Sequence, residues 1–256
     1  MTMVEMACDG SVVRLTMNAP DRLNALSDEM LAALQARLDE IAHRPDIRVV
    51  ILAGAGKAFC AGHDLREMEA DPSPETIGAL FDQCSRIMVS LTRLPQPVIA
   101  RVHGIATAAG CQLVASCDLA VAAEGTRFGV NGVNIGLFCS TPMVALTRNI
   151  PRKKAFEMLT TGQFIEADEA ETLGLVNRVV PAEALEAEAR ALAEQVAEKL
   201  GTAVRIGKQA FYAQAEMGLD AAYAYTGQVM VENMLDRDTT EGISAFLDKR
   251  PASWRQ

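Results

Sequence analysis

The chain has 256 residues, half of them apolar and 22% charged, so it can bury a substantial core and is neither disordered nor low-complexity. Its 24 basic and 33 acidic residues leave a formal net charge of −9, a surface that repels nucleic acid and anionic lipid. No apolar run reaches the roughly 18 residues of a membrane span, so neither nucleic acid nor membrane is an expected partner. Met1 to Gly10 carries no basic stretch followed by an apolar one, which points to a cytoplasmic protein. Cys8, Cys60, Cys84, Cys111, Cys117 and Cys139 form no C-x-x-C pair and no zinc spacing. His43, His63 and His103 form no metal-binding cluster. Free thiols and no bound metal are expected.

The first two-thirds alternate strand-like and helix-like segments. Val13, Leu15 and Met17 share one face of a strand over residues 12–18. Ser27 is placed to cap a helix whose Leu31, Leu34, Leu38 and Ile41 recur at helical spacing until Pro45. The continuous apolar run Val49–Leu52 is typical of a strand covered on both faces. A helix follows from about Glu75 to Arg93, then a strand over 97–102, a small-residue helix from Ala108 to Ser116 and a strand over 118–121. This order predicts parallel pairing with right-handed crossovers. Beyond Thr141 helical patterns dominate, broken by the strand-like Gly174–Val180. The expected organisation is an α/β core over residues 1–195 and a helical C-terminal region over 196–256. Met88, Met143 and Met158 read as core filling.

Two loops carry the chemistry. Gly54–Leu65 leaves a buried strand and leads to a helix, and Gly104–Leu113 does the same. Each brings small residues and free backbone N–H groups to a helix start. Two such groups converging on one point make an oxyanion hole. The first loop is not a nucleotide-binding P-loop, because Lys57 is followed by Ala58 and position 51, where the motif needs its first glycine, is Ile.

Together the loops resemble the crotonase superfamily, the enoyl-CoA hydratase/isomerase family. The resemblance runs through Pro20–Leu26, Phe59–Leu65, Pro97–Gly104, Ala109–Leu113, Cys117-Asp118, Phe128-Gly129, Ala167–Ala170, Gly174–Val176 and Glu241–Phe246. It covers nearly the whole chain. Within the family, Ala108–Asp118 and Gly136–Pro142 resemble the subgroup of enoyl-CoA hydratase domain-containing 3 proteins. The resemblance implies an α/β fold: a ClpP-like spiral of ββα units with a helical C-terminal region that builds homotrimers, often paired into hexamers. It implies an acyl-CoA thioester as substrate, with coenzyme A as part of that substrate and no other cofactor. The thioester oxygen accepts from the amides of His63 and Ala109, where the family usually has glycine at the second place. Ala61, His63, Asp64, Leu65 and Ala109 line the substrate path. Arg22, Lys57 and Arg66 hold pantetheine or phosphates, and Phe246 and Lys249 match tail residues that reach a neighbouring subunit's adenine site.

Hydratases of this family hold water between two glutamates; the matching positions are Gln112 and Gly132. Gln112 hydrogen-bonds water without taking its proton, and Gly132 has no side chain to offer. The hydratase (lyase) label therefore sits beside two alternatives: another CoA-enolate reaction, decarboxylation or isomerisation, or a catalytically silent acyl-CoA-binding protein. Some decarboxylases of the superfamily share the Ala-Gly-His-Asp segment, but their tyrosine would fall near Cys139. Other groups in reach are the His63 side chain, Cys139 facing an acyl pocket, and Asn131 and Asn134, which flank the lost glutamate position. Asp64 reads as a cap and His103 as structural.

Overall fold

The computed structural model describes residues 2–254. The chain opens with an antiparallel pair, β1 (Val4–Asp9) and β2 (Val12–Met17), turned at Gly10. The first strand was not expected, because only Val4 of its six residues is fully buried and it shows little alternation to read. Helix α1 (Asp28–Ala42) starts where Ser27 accepts from the Met30 amide, and its buried side is Met30, Leu31, Leu34, Leu38 and Ile41. Strand β3 (Val49–Gly54) is buried throughout. Then come α2 (Leu65–Ala70), α3 (Pro74–Arg93), β4 (Val98–Val102), β5 (Ile105–Thr107) and α4 (Ala109–Ser116). Strands β6 (Leu119–Ala123) and β7 (Arg127–Gly129) precede α5 (Pro142–Asn149) and α6 (Arg152–Thr161). The rest is β8 (Ile165–Glu166), α7 (Ala167–Leu173), β9 (Arg178–Val180), α8 (Leu185–Ala197), α9 (Gly201–Gln214), α10 (Leu219–Leu235) and α11 (Arg237–Leu247).

One six-stranded sheet runs β1-β2-β3-β4-β6-β9, parallel after its first pair, and a smaller one runs β5-β7-β8. Successive turns of chain feed one strand to each sheet, β4 then β5 and β6 then β7. The period-2 alternation of the large sheet assigns its faces to different helices. Val13, Leu15, Val50, Leu52 and Val98 pack in the main core with residues of α1, α3 and α4. Val12, Val49, Ile51, Ile99 and Val121 face Leu185, Ala189, Leu192 and Ala193 of α8. Helix α8 ends two residues beyond the expected boundary at 195 and is bound to the sheet.

The tail is tied down at one buried point. Lys208 of α9 donates to the Leu91 and Gln96 carbonyls and to Asp118 Oδ2 at 2.7 Å, and Tyr212 donates to Asp118 Oδ1. Beyond it, α10 buries no residue. Two expectations change. Met88 and Met158 are buried as expected, but Met143 is 37% exposed on α5. The strand over 174–180 shrinks to its last three residues, because Gly174 caps α7 in the left-handed region. Five cysteines are buried, and only Cys8 is exposed. Among the described residues no helix is long and apolar enough to cross a membrane.

Candidate active site

The two loops meet because a third segment holds them together. Asn24 is fully buried; its Nδ2 donates to the carbonyls of Ala55 and Ala58 (2.8 Å each) and Phe59, while its Oδ1 accepts from the Ala19 amide. Two residues on, the Leu26 amide donates to Gly62 O at 2.8 Å, in a parallel bridge between Leu26 and His63. On the other side the Thr107 amide donates to Cys60 O at 3.0 Å. The first loop is thus stitched between residues 24–26 and β5. Gly62 (φ +88°) and Gly110 are the contact points. A methyl group on Gly62 would meet the Ala108 side chain and Thr107 carbonyl at 3.0 Å, and one on Gly110 would meet Cys60 O at 2.2 Å. Only glycine permits this approach.

Ala108 sits at φ +50° and ψ −119°, a conformation that costs a side-chain-bearing residue about 1–3 kcal/mol. The strained turn sends the Ala108 amide to Gly129 O at 2.9 Å and leaves the Ala109 amide at the first position of α4. That amide has no acceptor among the described residues, and neither has the amide of His63. Both residues line one cavity of about 500 Å³. Two unengaged N–H groups, one at the positive end of a helix, thus belong to residues that line one cavity.

The walls are mostly apolar: Leu65, Met68 and Phe81 on one side, Ile135, Leu137 and Phe138 on the other. His63, Thr107, Asn131, Cys139, Ser140 and Thr141 are its polar side chains, and no aspartate or glutamate lines it. The His63 ring lies edge-on to Phe81 at 5.3 Å, and its Nε2 is buried with no partner. Burial lowers its pKa to about 4, so the imidazole is neutral near pH 7. Burial also raises the Cys139 thiol, which stays protonated.

Of the residues named from the sequence, Ala61, His63, Leu65, Ala109 and Gly132 line the cavity. Cys139 lines it while also packing in the main core. Asn131 faces it too, but Asn134 turns away to the Gly162 carbonyl. Asp64 caps α2 by accepting from the Arg66 amide and pairs with Arg22 at 3.4 Å. His103 bonds the Gly56 carbonyl at 2.8 Å. Gln112 does not line the cavity: it is 4% exposed, within a helix buried at every residue, and its Oε1 has no partner. Arg22, Lys57 and Arg66 lie outside the cavity lining on the surface, and Phe246 and Lys249 are exposed at the end of α11.

Gly132 differs most from its sequence reading. A Cβ built there would fall 2.3 Å from Leu137 O and 2.9 Å from Cys139 Sγ. The turn closed by the Leu137 amide on Gly132 O at 3.0 Å fills the space a side chain would need. Sequence reasoning assigned no role to Asn24, Thr107 or Phe81. Asn24 lies within the quoted Pro20–Leu26 motif, so an asparagine amid apolar neighbours was the available signal; Phe81 carried none.

A model of the family described as enoyl-CoA hydratase/isomerase matches residues 7–256. The chain is 45% identical to the Homo sapiens enoyl-CoA hydratase domain-containing protein 3, mitochondrial, over 94% of its own length and 79% of the relative's. It is 40% identical to a putative enoyl-CoA hydratase of Thermus thermophilus, over 94% and 96% of the two chains. Among solved structures, an enoyl-CoA hydratase of Mycobacterium smegmatis superposes with a TM-score of 0.98 at 54% identity, covering 99% of each chain. The human enoyl Coenzyme A hydratase domain-containing protein 3 gives 0.96 at 43%, covering 98% and 100%. These findings correct the cytoplasmic expectation: relatives at 44–45% identity from five vertebrates are named mitochondrial, and a missing N-terminal signal is no guide to compartment. The family match over almost the full length, the structural agreement and the subgroup likeness converge: the chain belongs to the enoyl-CoA hydratase/isomerase family and has its crotonase fold.

Proposed function

We propose that the chain is an enzyme acting on an acyl-CoA thioester, whose carbonyl oxygen sits between the amides of His63 and Ala109 while an enolate forms at the neighbouring carbon. The observation that carries this reading is the pair of unengaged amides opening into one apolar cavity. The walls are mostly apolar, so each donor acts on developing charge more strongly than it would in water. Arg22, Lys57 and Arg66 on the surface supply positive charge for the CoA phosphates and pantetheine. Coenzyme A enters as part of the substrate. The exposed apolar side chains of the tail, among them Leu219, Tyr223, Leu235, Phe246 and Leu247, support assembly as a homotrimer or hexamer.

The cavity lining holds no carboxylate. General acid–base catalysis is worth about 10²–10⁴-fold in rate, so hydration by paired glutamates is not the reaction this cavity favours. The same lining favours an enolate reaction that needs no carboxylate base. The test combines calorimetric binding of butyryl-CoA with hydration of a short trans-2-enoyl-CoA, in the wild type and in Ala109→Pro. Proline is tolerated at the first helical position but has no N–H. The expected result is binding, little hydration, and loss of about 10²–10³-fold in any thioester reaction in the variant. Fast hydration by the wild type would refute the carboxylate argument. Failure to bind any acyl-CoA would refute the whole assignment.

A further inference from the structure

Among the polar side chains of the cavity, two are bonded to each other. Thr107 Oγ1 donates to Asn131 Oδ1 at 2.5 Å, and both residues line the cavity. The bond occupies the amide oxygen and leaves Nδ2, a pure donor, without a partner among the described residues. Thr107 is largely buried at the end of β5 and holds the amide against it.

The position follows from the strand register. Thr107 is paired with Gly129 in the parallel β5–β7 ladder. Two residues past Thr107 the chain reaches Ala109, and two past Gly129 it reaches Asn131. Both chains turn beyond this pair, and the Thr107–Asn131 bond brings Asn131 into the cavity that Ala109 also lines. Asn131 belongs to the same wall as Gly132, Leu137 and Cys139.

Resting on the reading that this cavity takes the acyl group of a CoA thioester, we propose that Asn131, positioned by Thr107, is a specificity-determining residue for a 3-oxoacyl thioester. A second carbonyl oxygen on that substrate accepts from Nδ2 while the thioester oxygen accepts from His63 and Ala109. Two further observations fit this class. No lysine or arginine lines the cavity, so a carboxylate at the same place would enter without a counter-charge, whereas a neutral carbonyl pays only its own desolvation. No carboxylate base lines it either, and a carbon flanked by two carbonyls gives up its proton far more readily than one flanked by a single thioester, here to solvent water reaching the cavity past its exposed rim residues Leu65 and Ile135. Three donors then share the negative charge that the enolate spreads over two oxygens.

The experiment measures binding of acetoacetyl-CoA, malonyl-CoA and butyryl-CoA to the wild type, Asn131→Leu and Thr107→Val, alongside the near-ultraviolet absorbance of the acetoacetyl-CoA enolate. The wild type is expected to prefer acetoacetyl-CoA over butyryl-CoA by about tenfold, the upper end for one well-placed neutral hydrogen bond. It should also bind acetoacetyl-CoA more tightly than malonyl-CoA and raise the enolate band. Asn131→Leu should lose the preference and the band while keeping its affinity for butyryl-CoA, and Thr107→Val should lose part of both. Equal binding of acetoacetyl-CoA and butyryl-CoA, or an Asn131→Leu defect common to all three ligands, would overturn the proposal. So would preference for malonyl-CoA. If none of the three thioesters binds, it is the acyl-CoA assignment that fails.

Discussion

The sequence resemblance matches Gly132 to a glutamate of the family's hydratases, so placing Glu there is the obvious repair. The structure predicts that it fails. The ideal Cβ lies 2.3 Å from the Leu137 carbonyl oxygen and 2.9 Å from Cys139 Sγ. A carbon approaches a carbonyl oxygen to about 3.3 Å, so this backbone carbonyl must retreat by about 1 Å. It belongs to the turn that the Leu137 amide closes on Gly132 O, and moving it loosens that bond. Overpacking of this kind costs about 1–3 kcal/mol. Gly132→Ala separates the clash from the charge. In urea denaturation both Gly132→Ala and Gly132→Glu should lose about 1–3 kcal/mol, and heating should show a fall of about 2–4 °C per kcal/mol. Gly132→Glu should hydrate a short trans-2-enoyl-CoA no faster than the wild type. If Gly132→Ala is as stable as the wild type and Gly132→Glu gains tenfold or more in hydration, the space argument is wrong.

Three further perturbations test other parts of the molecule. Lys208→Met strands the buried Asp118 carboxylate and two backbone carbonyls, and should cost about 3–5 kcal/mol in denaturant; a loss below 1 kcal/mol would mean that the anchor of α9 is dispensable. His63 has a depressed folded pKa of about 4, so its contribution is complete above its ordinary value of 6.5 and is lost as pH falls through 4. The wild type should therefore lose up to about 3 kcal/mol more than His63→Leu between pH 7 and the acid limit; parallel stability curves would show that the ring is not desolvated. Ala108→Gly relieves the positive φ at some cost in unfolded-chain entropy and should gain about 0.5–2 kcal/mol, read as a higher urea midpoint, whereas a loss would place the strain elsewhere.

Much of this was legible in the residues themselves. Period-2 and period-3.6 patterns located β2, α1, β3, α3, β4 and β6, because each has one buried face or is buried whole. Ser27 and Asp64 act as the caps their positions suggested, since capping is a local interaction between a side chain and the next turn. The two glycine-containing loops could be picked out, and the motif likeness pointed to the amides of His63 and Ala109 as their donors. Tertiary structure decided the rest. β1, β5, β7 and β8 are too short or too exposed to carry a pattern; β1 exists through its hairpin with β2, and the others through pairing with strands distant in sequence. Whether a side chain faces the cavity depends on how elements cross. That crossing puts Asn131 in the cavity and Asn134 against Gly162, buries Gln112 behind the lining, and fills the space beside Gly132 with the carbonyl of a residue five positions away. Sequence named the residues, but the packing of loop on loop determined which of them share a volume and which hydrogen bonds remain unmade.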